Sequence, residues 1–439
     1  MMKFSKNDYF ELNETRYIIK EVLGVGGQGE VYLVNDGKNN YAFKYYIDNP
    51  DSDFKYNLKN NILKGSPSKN FLWPKELIEF DDNSCGYLMD LRPKEYCSFV
   101  SYLTGKTKFK SKRVLLDWCI ELVKSFKQLH EKGFSYQDLN DGSFFLNPDT
   151  GEILICDNDN VTADKKNLGI LGKMRYMAPE IVRGDIDEYT KDRQMPDIHS
   201  DRFSLAIILF LALCLGNPFE GECLKKYTII DEHAEYEMFG TNPIYIYNQN
   251  DESNRPIRGY HTAIFKRYPF LPIYIKDAFH RTFVLGLEDR ENSRTTEIEW
   301  LRLLCKYRDE LITCECGEEY IYGFNEKKVH DKCPYCKKET RRFTYLQIGK
   351  NKVLLEPNKF LYQFHVDKYS SEYNKQIAKV IQNKNNPSLW GLKLNLENDV
   401  YIKDKEGNEK TISKDGVIPL VSNLKIKFSE DTVAEIKAI

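Results

Sequence analysis

The sequence predicts an α+β protein with two lobes, followed by a small cysteine-rich module and an all-β module. Residues 1 to about 92 favour strands, with the clearest at 17–25, 30–34 and 41–46, because these runs are joined by turns rich in glycine and asparagine. Residues 113–132 and 195–310 carry apolar side chains at helical spacing. Four clustered cysteines follow residue 310, and short alternating strands follow residue 342. These changes in pattern predict domain limits near residues 310 and 342.

Composition bounds the possible functions. The chain has 439 residues, a net charge of -2 and eleven cysteines. This length predicts two or three domains, and the small net charge gives no overall attraction to nucleic acid or membrane. The apolar run Leu205–Leu215 is too short to span a bilayer and predicts a buried helix. The first residues lack the apolar core of a signal peptide, and the scattered cysteines suit a reducing compartment, so we expect a cytoplasmic protein.

Two aspartates, Asp138 and Asp157, lie nineteen positions apart, and each follows an apolar run. Between them, Asn147–Gly151 predicts a hairpin turn and Ile153–Cys156 predicts a buried strand. This arrangement would bring the two carboxylates to neighbouring strand ends. Phosphoryl transfer needs two such groups, one to orient a hydroxyl nucleophile and one to hold a metal on the phosphates.

A glycine-rich hairpin near the N-terminus carries Gly24, Gly26 and Gly29, with Val31 two residues later, in a G-x-G-x-x-G-x-V pattern. Such glycines let backbone amides approach phosphates closely. A strand follows them and not a helix, which disfavours a dinucleotide-binding fold. Lys44 lies between apolar residues on the next predicted strand. Taken alone, these features also fit an ordinary hairpin with a surface lysine.

In order and spacing, these motifs resemble those of protein kinases over roughly residues 10–310. The resemblance implies a bilobal fold with an N-lobe over about 10–92 and a C-lobe over about 93–310. The matching positions along the chain are the glycine-rich hairpin, Lys44, Tyr136-Gln137-Asp138 for H-R-D, Asp157 for D-F-G, Ala178-Pro179-Glu180 for A-P-E, Asp201 at the start of a helix, and Arg294.

The resemblance implies a role for each matching residue. Lys44 would bind the α- and β-phosphates of ATP, Asp138 would orient the substrate hydroxyl, and Asp157 would bind Mg²⁺. ATP and Mg²⁺ are therefore the expected cofactors. By the same resemblance Glu180 pairs with Arg294, and Asp201 bonds to the backbone of the catalytic loop. These last residues are structural, because buried charges need partners.

The segment around Met89 resembles the strand and hinge that contact adenine in protein kinases. The resemblance implies that Met89 is the gatekeeper and that Asp90 and Arg92 offer backbone groups to the base. Val31 and Ala42 are further nucleotide-binding positions by the same comparison. A core strand that ends at a proline is an equally good interpretation of this segment alone.

The sequence departs from the family around Asp138. The metal-binding asparagine expected five residues later is Ser143, so we expect Ser143 to bind Mg²⁺ with Asp157, or Asn140 or Asp141 to substitute. Asn140 also replaces a lysine of the family, and Lys173 stands where serine/threonine kinases commonly carry a threonine. Gln137 replaces the arginine that contacts activation-loop phosphate, so control by loop phosphorylation is not expected. Thr162 and Tyr176 are the hydroxyl residues that the loop offers.

A second departure concerns Lys44. No glutamate occurs between Lys44 and Lys75, so the usual partner on the N-lobe helix is missing. We expect an asparagine of this helix to lie nearest to the lysine, with Asp53 a poorer candidate; the asparagines are Asn57, Asn60 and Asn61.

Two function classes follow from these departures. The first is a divergent bacterial serine/threonine kinase that phosphorylates a protein partner. The alternative is a nucleotide-binding pseudokinase that signals by conformation through its C-terminal domains. A kinase for small molecules is disfavoured, because those enzymes usually lack the clear A-P-E segment that this chain carries.

Four clustered cysteines form two knuckles: Cys314 and Cys316 in C-x-C-G, and Cys333 and Cys336 in C-P-x-C. This pattern resembles zinc ribbons and predicts a ribbon over residues 311–342. Four thiolates complete a tetrahedron around zinc and leave no open position, so the metal would be structural. His330 is the competing ligand.

Residues 343–439 predict an all-β sandwich that weakly resembles forkhead-associated domains, for example at Asn386–Trp390. The Gly-Arg and Ser-x-x-His by which those domains bind phosphothreonine are not recognisable, and His365 is expected to be a packing residue. The module is therefore expected to dock a protein partner or the kinase itself. By analogy, a cognate phosphatase and a signalling adaptor are possible partners.

A nucleic-acid role for the cysteine module is a third function class. Lys337-Lys338 and Arg341-Arg342 add positive charge, but several glutamates lie among them and no aromatic and basic stripe appears. We therefore expect no nucleic-acid partner and no membrane partner.

Overall fold

The structure is a computed structural model that describes residues 3–166, 172–186, 193–323, 331–340, 343–357, 359–367, 369–386 and 389–438. His330, Arg341, Arg342, Pro387 and Ser388 lie outside the described residues. The chain forms two compact units. The second unit contains Ser111–Ile120, Phe270–Lys276 and the residues from Leu301 onward, and the first unit contains the remainder. Among the described residues, no helix is both long enough and apolar enough to cross a membrane.

An antiparallel six-stranded sheet, in the order β1-β2-β3-β4-β6-β5, forms the N-terminal lobe of the first unit. Its strands are β1 (Tyr9–Leu12), β2 (Thr15–Val25), β3 (Gly29–Asn35), β4 (Asn40–Tyr46), β5 (Glu76–Glu79) and β6 (Cys85–Asp90). The strands predicted at 17–25, 30–34 and 41–46 are confirmed as β2, β3 and β4. Aromatic and aliphatic side chains cover both faces of this sheet and form two separate hydrophobic clusters.

Helix α1 (Ser52–Lys64) connects β4 to β5 and packs on one face of the sheet through Leu58. The carboxylate of Asp51 accepts a hydrogen bond from the amide of Phe54 at 2.8 Å and caps the first turn. Gly65, with a φ of 72°, ends the helix because this backbone conformation favours glycine.

The following segment is mainly helical and carries short strand pairs. Its elements are β7 (Cys97–Ser98), α2 (Phe99–Leu103), α3 (Lys112–Glu131), β8 (Phe134–Tyr136), β9 (Phe144–Leu146), β10 (Ile153–Ile155), β11 (Val161–Ala163), α4 (Pro179–Arg183), α5 (Ile198–Cys214), α6 (Glu232–Tyr236), α7 (Thr262–Arg267), α8 (Ile273–His280), α9 (Gly286–Glu288) and α10 (Glu297–Glu310). The helix predicted at 113–132 is confirmed as α3. The apolar run from Leu205 lies in α5, whose residues are almost all buried, as predicted.

The hairpin predicted between the two aspartates is confirmed. Strands β9 and β10 pair antiparallel, with Ile155 opposite Phe144. Strand β8 pairs with β11, so that Tyr136 lies opposite Val161. Asp138 follows β8 and Asp157 follows β10, and the hydroxyl of Tyr136 donates a hydrogen bond to the carbonyl of Cys156. The two aspartates therefore follow strands that are tied together by a buried tyrosine.

The second unit carries a β-rich C-terminal region. A two-stranded hairpin is followed by a six-stranded sheet, in the order β15-β14-β23-β22-β19-β20, and a four-stranded sheet, in the order β16-β17-β18-β21. The elements are β12 (Leu311–Thr313), β13 (Glu319–Ile321), β14 (Thr344–Ile348), β15 (Asn351–Leu355), β16 (Phe360–Tyr362), α11 (Gln363–Val366), β17 (Gln376–Gln382), β18 (Trp390–Leu394), β19 (Val400–Lys403), β20 (Glu409–Ile412), β21 (Val417–Pro419), β22 (Lys425–Lys427) and β23 (Val433–Ala438).

Side chains from both larger sheets share one hydrophobic core, with Leu346, Ile426 and Ile436 from the first sheet and Val380 and Leu392 from the second. The region is therefore a two-layered β structure, in agreement with the sequence pattern. The domain limits near residues 310 and 342 stay predictions.

Candidate active site and cysteine cluster

The glycine-rich hairpin joins β2 to β3 and is closed by a hydrogen bond of 2.8 Å from the amide of Gly26 to the carbonyl of Gly29. A Cβ atom added to Gly24 or Gly27 would meet no atom within 4 Å, so open space lies beside these residues. At Gly29 the same atom would lie 2.3 Å from the carbonyl oxygen of Tyr45. Gly29 is therefore required by the packing of β3 on β4, whereas Gly24 leaves room for a ligand.

The residues predicted to contact adenine belong to one apolar surface. Val31, Ala42 and Met89 share a hydrophobic cluster, and Ala42 pairs with Met89 across β4 and β6. Phe145 of β9 belongs to the same cluster. The guanidinium of Arg92 lies 4.5 Å from the centre of the Phe145 ring. Phe145 was not predicted to belong to this cluster, because its position depends on the pairing of β9 with β10.

Asp90 is exposed at the end of β6, where the sheet gives way to the connection between the lobes. Its carboxylate accepts a hydrogen bond of 2.5 Å from the ammonium of Lys75. The side chain of Asp90 is thus engaged in a surface contact. The predicted contribution of Asp90 and Arg92 through backbone groups stays a prediction.

Lys44 lies on β4 and is buried, and its ammonium donates a hydrogen bond of 2.7 Å to Asp159. The same ammonium lies 3.6 Å from a carboxylate oxygen of Asp157. Asp159 is fully buried and also accepts hydrogen bonds from the hydroxyls of Tyr46, at 2.7 Å, and Tyr87, at 3.0 Å. Both carboxylate oxygens of Asp159 are therefore occupied by donors from the N-terminal sheet.

The charges in this cluster stabilise one another. Burial opposes the charge of Lys44, but the carboxylates of Asp159 and Asp157 outweigh burial and raise the pKa of the lysine. Burial likewise opposes the ionised form of Asp159, and Lys44 reverses this effect and lowers the pKa of the aspartate. The pair is thus ionised on both sides at neutral pH.

The expectation that an asparagine of α1 lies nearest to Lys44 is wrong. The side-chain amides of Asn57 and Asn61 donate hydrogen bonds of 2.8 and 2.7 Å to the carbonyl of Val161. These asparagines hold the start of β11 against the helix. Lys44 takes its acidic partner from the segment that follows Asp157, two residues farther along the chain.

Asp138 follows β8 and is partly buried. One carboxylate oxygen accepts a hydrogen bond of 3.0 Å from the amide nitrogen of Asn140. Burial raises the pKa of Asp138, repulsion from Asp157 adds to this effect, and Asn140 and Lys173 oppose it. A carboxylate with a raised pKa suits the acceptance of a proton from a hydroxyl.

Asp157 follows β10 and has a left-handed backbone conformation, with a φ of 55° and a ψ of 38°. Such a conformation is uncommon for a residue other than glycine and is concentrated at functional sites. Its side chain is 45% exposed, in contrast to the buried Asp159. Partial removal of its carboxyl group from water and the neighbouring Asp159 raise the pKa of Asp157, although Lys44 opposes them. Carboxylate oxygens of this kind are preferred ligands of Mg²⁺.

Ser143 ends a short 3₁₀ turn over Asp141–Ser143, and its side chain is fully buried. The hydroxyl accepts a hydrogen bond from the amide of Asn140 at 3.4 Å and lies 3.3 Å from the carbonyl of Asp138, to which it donates. The serine thus stabilises the catalytic loop. Its predicted contact with Mg²⁺ stays a prediction.

Two structural contacts implied by the kinase resemblance are present: the ion pair of Arg294 with Glu180 and the bond of Asp201 to the backbone. Arg294 donates two hydrogen bonds of 2.8 Å to the two carboxylate oxygens of Glu180. Asp201 accepts hydrogen bonds from the amide of Tyr136, at 2.7 Å, and from His130, at 3.1 Å. The first pair fixes the end of the activation segment, and the second fixes the strand that leads to Asp138.

The two hydroxyl residues predicted for the activation loop are both buried. Thr162 lies in β11 and is in hydrogen-bond contact with the amide nitrogen of Gln137, at 2.7 Å. Tyr176 is also buried, and burial raises the pKa of its phenol. Modification of either hydroxyl would require local opening of the loop. The expectation that loop phosphorylation does not control this protein stays a prediction.

The four clustered cysteines converge in the second unit, and their sulfur atoms all lie within 4.8 Å of one another. The sulfurs of Cys314 and Cys336 are 3.5 Å apart, and those of Cys316 and Cys333 are 3.9 Å apart. Four sulfurs bound to one zinc ion at ~2.3 Å in a tetrahedron would be roughly 3.8 Å apart. The arrangement therefore fits a tetrahedral metal.

The chain belongs to the protein kinase domain family, whose pattern it matches over residues 17–269. It is 23% identical to the serine/threonine-protein kinase Nek11 of Homo sapiens over 216 residues, which are 47% of this chain and 32% of the relative. It is 24% identical to ribosomal protein S6 kinase 2 alpha of Xenopus laevis over 278 residues, which are 58% of this chain and 33% of the relative.

The chain spans about a third of the length of the curated relatives that it matches. Among solved structures, it is similar to the autoinhibited serine kinase domain of the giant muscle protein titin. That alignment has 17% identity and a TM-score of 0.48, and it covers 67% of this chain and 80% of the other. The family match confirms the interpretation of this chain as one with a protein kinase domain, and the curated relatives that it matches are serine/threonine kinases.

Sequence reasoning missed Asp159 as the partner of Lys44. A signal was available in Asp157-Asn158-Asp159, because an acidic residue stands there where D-F-G ends in glycine. The absence of a glutamate in α1 was a second signal, because it indicated that Lys44 takes its acidic partner from another part of the chain. Tyr46 and Tyr87 gave no comparable signal, because buried tyrosines in a strand usually belong to the core.

Proposed function

We propose that this protein is an ATP-dependent serine/threonine kinase that phosphorylates a protein partner in cytoplasmic bacterial signalling. The observation that carries the proposal is the position of Lys44 between Asp157 and Asp159, at 3.6 and 2.7 Å, with Asp138 close enough to Asp157 for the two carboxylates to repel each other. A lysine, a metal-binding carboxylate and a carboxylate that accepts a proton are the groups that phosphoryl transfer needs.

Each residue has a separate task in this proposal. Lys44 binds the α- and β-phosphates and is held in place by Asp159. Asp157 holds Mg²⁺, and Asp138 orients the substrate hydroxyl and accepts its proton. ATP with Mg²⁺ supplies the phosphoryl group when it is bound. The open space beside Gly24 and Gly27 is consistent with phosphates beneath the hairpin.

We further infer that the four cysteines bind one structural zinc ion in a zinc ribbon over residues 311–342. The distances between sulfur atoms support this assignment. The two-layered β region over residues 343–439 is proposed to be a degenerate relative of forkhead-associated domains. His365 is buried and bonds to Asp309 at 2.8 Å, which supports a packing role and not phosphopeptide binding. A cognate phosphatase and a signalling adaptor are the proposed partners of this region.

A nucleotide-binding pseudokinase is the second candidate function. The observation that favours it is the burial of the Ser143 hydroxyl in bonds to the catalytic loop, where protein kinases place a metal-binding asparagine. Without the amide oxygen of that asparagine, Mg²⁺ binding would then depend on Asp157 alone or on Asp157 with Asp141.

Comparison of Asp157→Asn with the wild type separates the two functions. Turnover of ATP on a protein substrate should be abolished in this variant if the protein is a kinase. The matched control is Asp149→Asn, because Asp149 is exposed in the turn between β9 and β10. Equal turnover in the wild type and Asp157→Asn would contradict the kinase function. A wild type that is stabilised by ATP but shows no turnover would identify a pseudokinase.

A further inference from the structure

Two residues at which this chain departs from the protein kinase pattern, Asn140 and Lys173, are in contact. Asn140 stands where protein kinases carry a lysine in the catalytic loop, and Lys173 stands where serine/threonine kinases commonly carry a threonine. In the structure the ammonium of Lys173 donates a hydrogen bond of 3.1 Å to the side-chain oxygen of Asn140. Compared with protein kinases, the catalytic loop therefore lacks a lysine at position 140, and Lys173 of the activation segment lies beside that position.

The contact places a positive charge next to Asp138. The amide nitrogen of Asn140 donates a hydrogen bond of 3.0 Å to a carboxylate oxygen of Asp138, so one side chain links Lys173 to the aspartate. The ammonium of Lys173 also lies 3.7 Å from Asp141. Burial raises the pKa of Asp138, and the charge and backbone of Lys173 act in the opposite direction. The lysine therefore already interacts with the aspartate that is proposed to orient the substrate.

The side chain of Lys173 is more accessible to a ligand than the side chain of Lys44. The side chain of Lys173 is 59% exposed, whereas that of Lys44 is 6% exposed and is bonded to Asp159 at 2.7 Å. Arg175, a nearby cation on the same segment, pairs with Glu220 at 2.7 Å. A phosphate between Asp138 and Asp157 would bring three negative groups together, and a cation close by offsets their repulsion.

We propose that Lys173 binds the transferred phosphoryl group from the activation segment and replaces the charge that the catalytic loop lacks at Asn140. The inference rests on the proposed kinase function. During transfer the bond between the γ-phosphorus and the oxygen that bridges it to the β-phosphate breaks, and a bond to the substrate oxygen forms. The proton of the hydroxyl passes to Asp138, and ADP leaves.

The competing interpretation is that Lys173 is a surface lysine in a loose ion pair with Asp141. Partly exposed pairs of this kind contribute little to stability. On that interpretation, removal of the lysine would change neither turnover nor nucleotide binding. Removal of a charge that stabilises a transition state lowers turnover by about a hundredfold or more.

The test compares Lys173→Met with a double variant, Asn140→Lys with Lys173→Thr, which returns the lysine to the loop. Lys225→Met is the matched control, because Lys225 is 60% exposed and pairs with Glu222 at the surface. We expect Lys173→Met to lower kcat by about a hundredfold. The double variant should recover most of the loss, which a merely structural lysine would not allow. Thermal unfolding of each variant checks that the fold is kept.

Affinity for ATP and ADP gives a readout that does not need turnover. Loss of a charged contact to the terminal phosphate should weaken ATP binding by about tenfold and leave ADP binding unchanged. If the wild type shows no turnover, the proposed kinase function fails, but loss of the ATP preference in Lys173→Met still supports the phosphate contact. Unchanged kcat, or an unchanged preference for ATP over ADP in Lys173→Met, would overturn the inference.

Discussion

Lys44 and Asp159 form an ion pair in the first unit, with 2.7 Å between the ammonium and a carboxylate oxygen and almost no exposure of either side chain. Tyr46 and Tyr87 donate their hydroxyls to the same carboxylate. The acidic partner of the nucleotide-binding lysine is therefore held by the N-terminal sheet and by the segment after Asp157. Removal of one member of a buried pair leaves an uncompensated charge, which is strongly destabilising.

We therefore predict that Asp159→Asn lowers the free energy of unfolding by about 3 to 5 kcal/mol, because Lys44 loses its counter-charge and an NH₂ donor replaces one of the two oxygens that accept from Lys44 and the tyrosines. The variant should also lose ATP binding, since Lys44 is no longer fixed. Urea unfolding and nucleotide titration measure these effects. Asp157→Asn is the matched control, because the same chemical change two residues away affects a half-exposed carboxylate. Equal unfolding free energies for the two variants would contradict a special role of Asp159.

Local patterns in the sequence predicted those parts of the site that depend on local structure. The hairpin between Asp138 and Asp157 and the knuckles at Cys314 and Cys333 involve short-range turns, and their geometry follows from residues close in the chain. The pairing of Lys44 with Asp159 joins residues 115 positions apart. The local sequence pattern does not indicate which acidic residue will pair with a buried lysine.

The contact between Lys173 and Asn140 also could not be predicted from the local sequence pattern. Each replacement is visible in the sequence, but their proximity depends on how the activation segment folds back over the catalytic loop. The pairing order of the C-terminal sheets, with β14 beside β23, is similarly non-local. The alternating strands could be predicted from the residues, whereas the choice of partner strand requires the tertiary fold.

His130 lies between two buried acids and predicts a dependence of stability on pH. Its ring nitrogens lie 3.1 Å from Asp201 and from Glu297. Burial opposes protonation, but these two carboxylates outweigh burial and raise the pKa of His130 from 6.5 to about 9. Because the folded state binds the proton more tightly than the unfolded state, this stabilisation is complete below pH 6.5 and is lost as the pH rises towards 9.

We predict that the wild type loses on the order of 3 kcal/mol of this contribution between pH 6.5 and 9, and that His130→Gln does not. The measurement is urea unfolding of both proteins across this range, with the difference between them taken at each pH. Taking this difference removes the contribution of other groups to the pH dependence. One such group is Lys359, whose pKa is lowered by burial to about 8. His233→Gln, at an exposed position of α6, should retain the wild-type slope. A slope shared by the wild type and His130→Gln would contradict the prediction.

Metal content tests the cysteine cluster. Freshly purified protein, prepared without chelator, should contain one zinc ion per chain, and Cys333→Ser should lose it because three thiolates leave the tetrahedron incomplete. Elemental analysis and the melting temperature of the second unit are the measurements. Cys223→Ser is the control, since Cys223 lies outside the cluster. Chelation should destabilise the wild type and leave Cys333→Ser unaffected. A wild type without metal would contradict the assignment.

The glycines of the hairpin predict a contrast between two neighbouring substitutions. In Gly29→Ala the new methyl group would lie 2.3 Å from the carbonyl oxygen of Tyr45, a backbone atom that cannot move without shifting β4. Since β4 carries Lys44, we expect a loss of about 1 to 3 kcal/mol in unfolding free energy together with weaker ATP binding. Gly27→Ala meets no atom within 4 Å, so its unfolding free energy should match the wild type. Denaturant unfolding compares the three proteins, and equal stability of both alanine variants would show that β3 does not pack on β4 as closely as this structure has it.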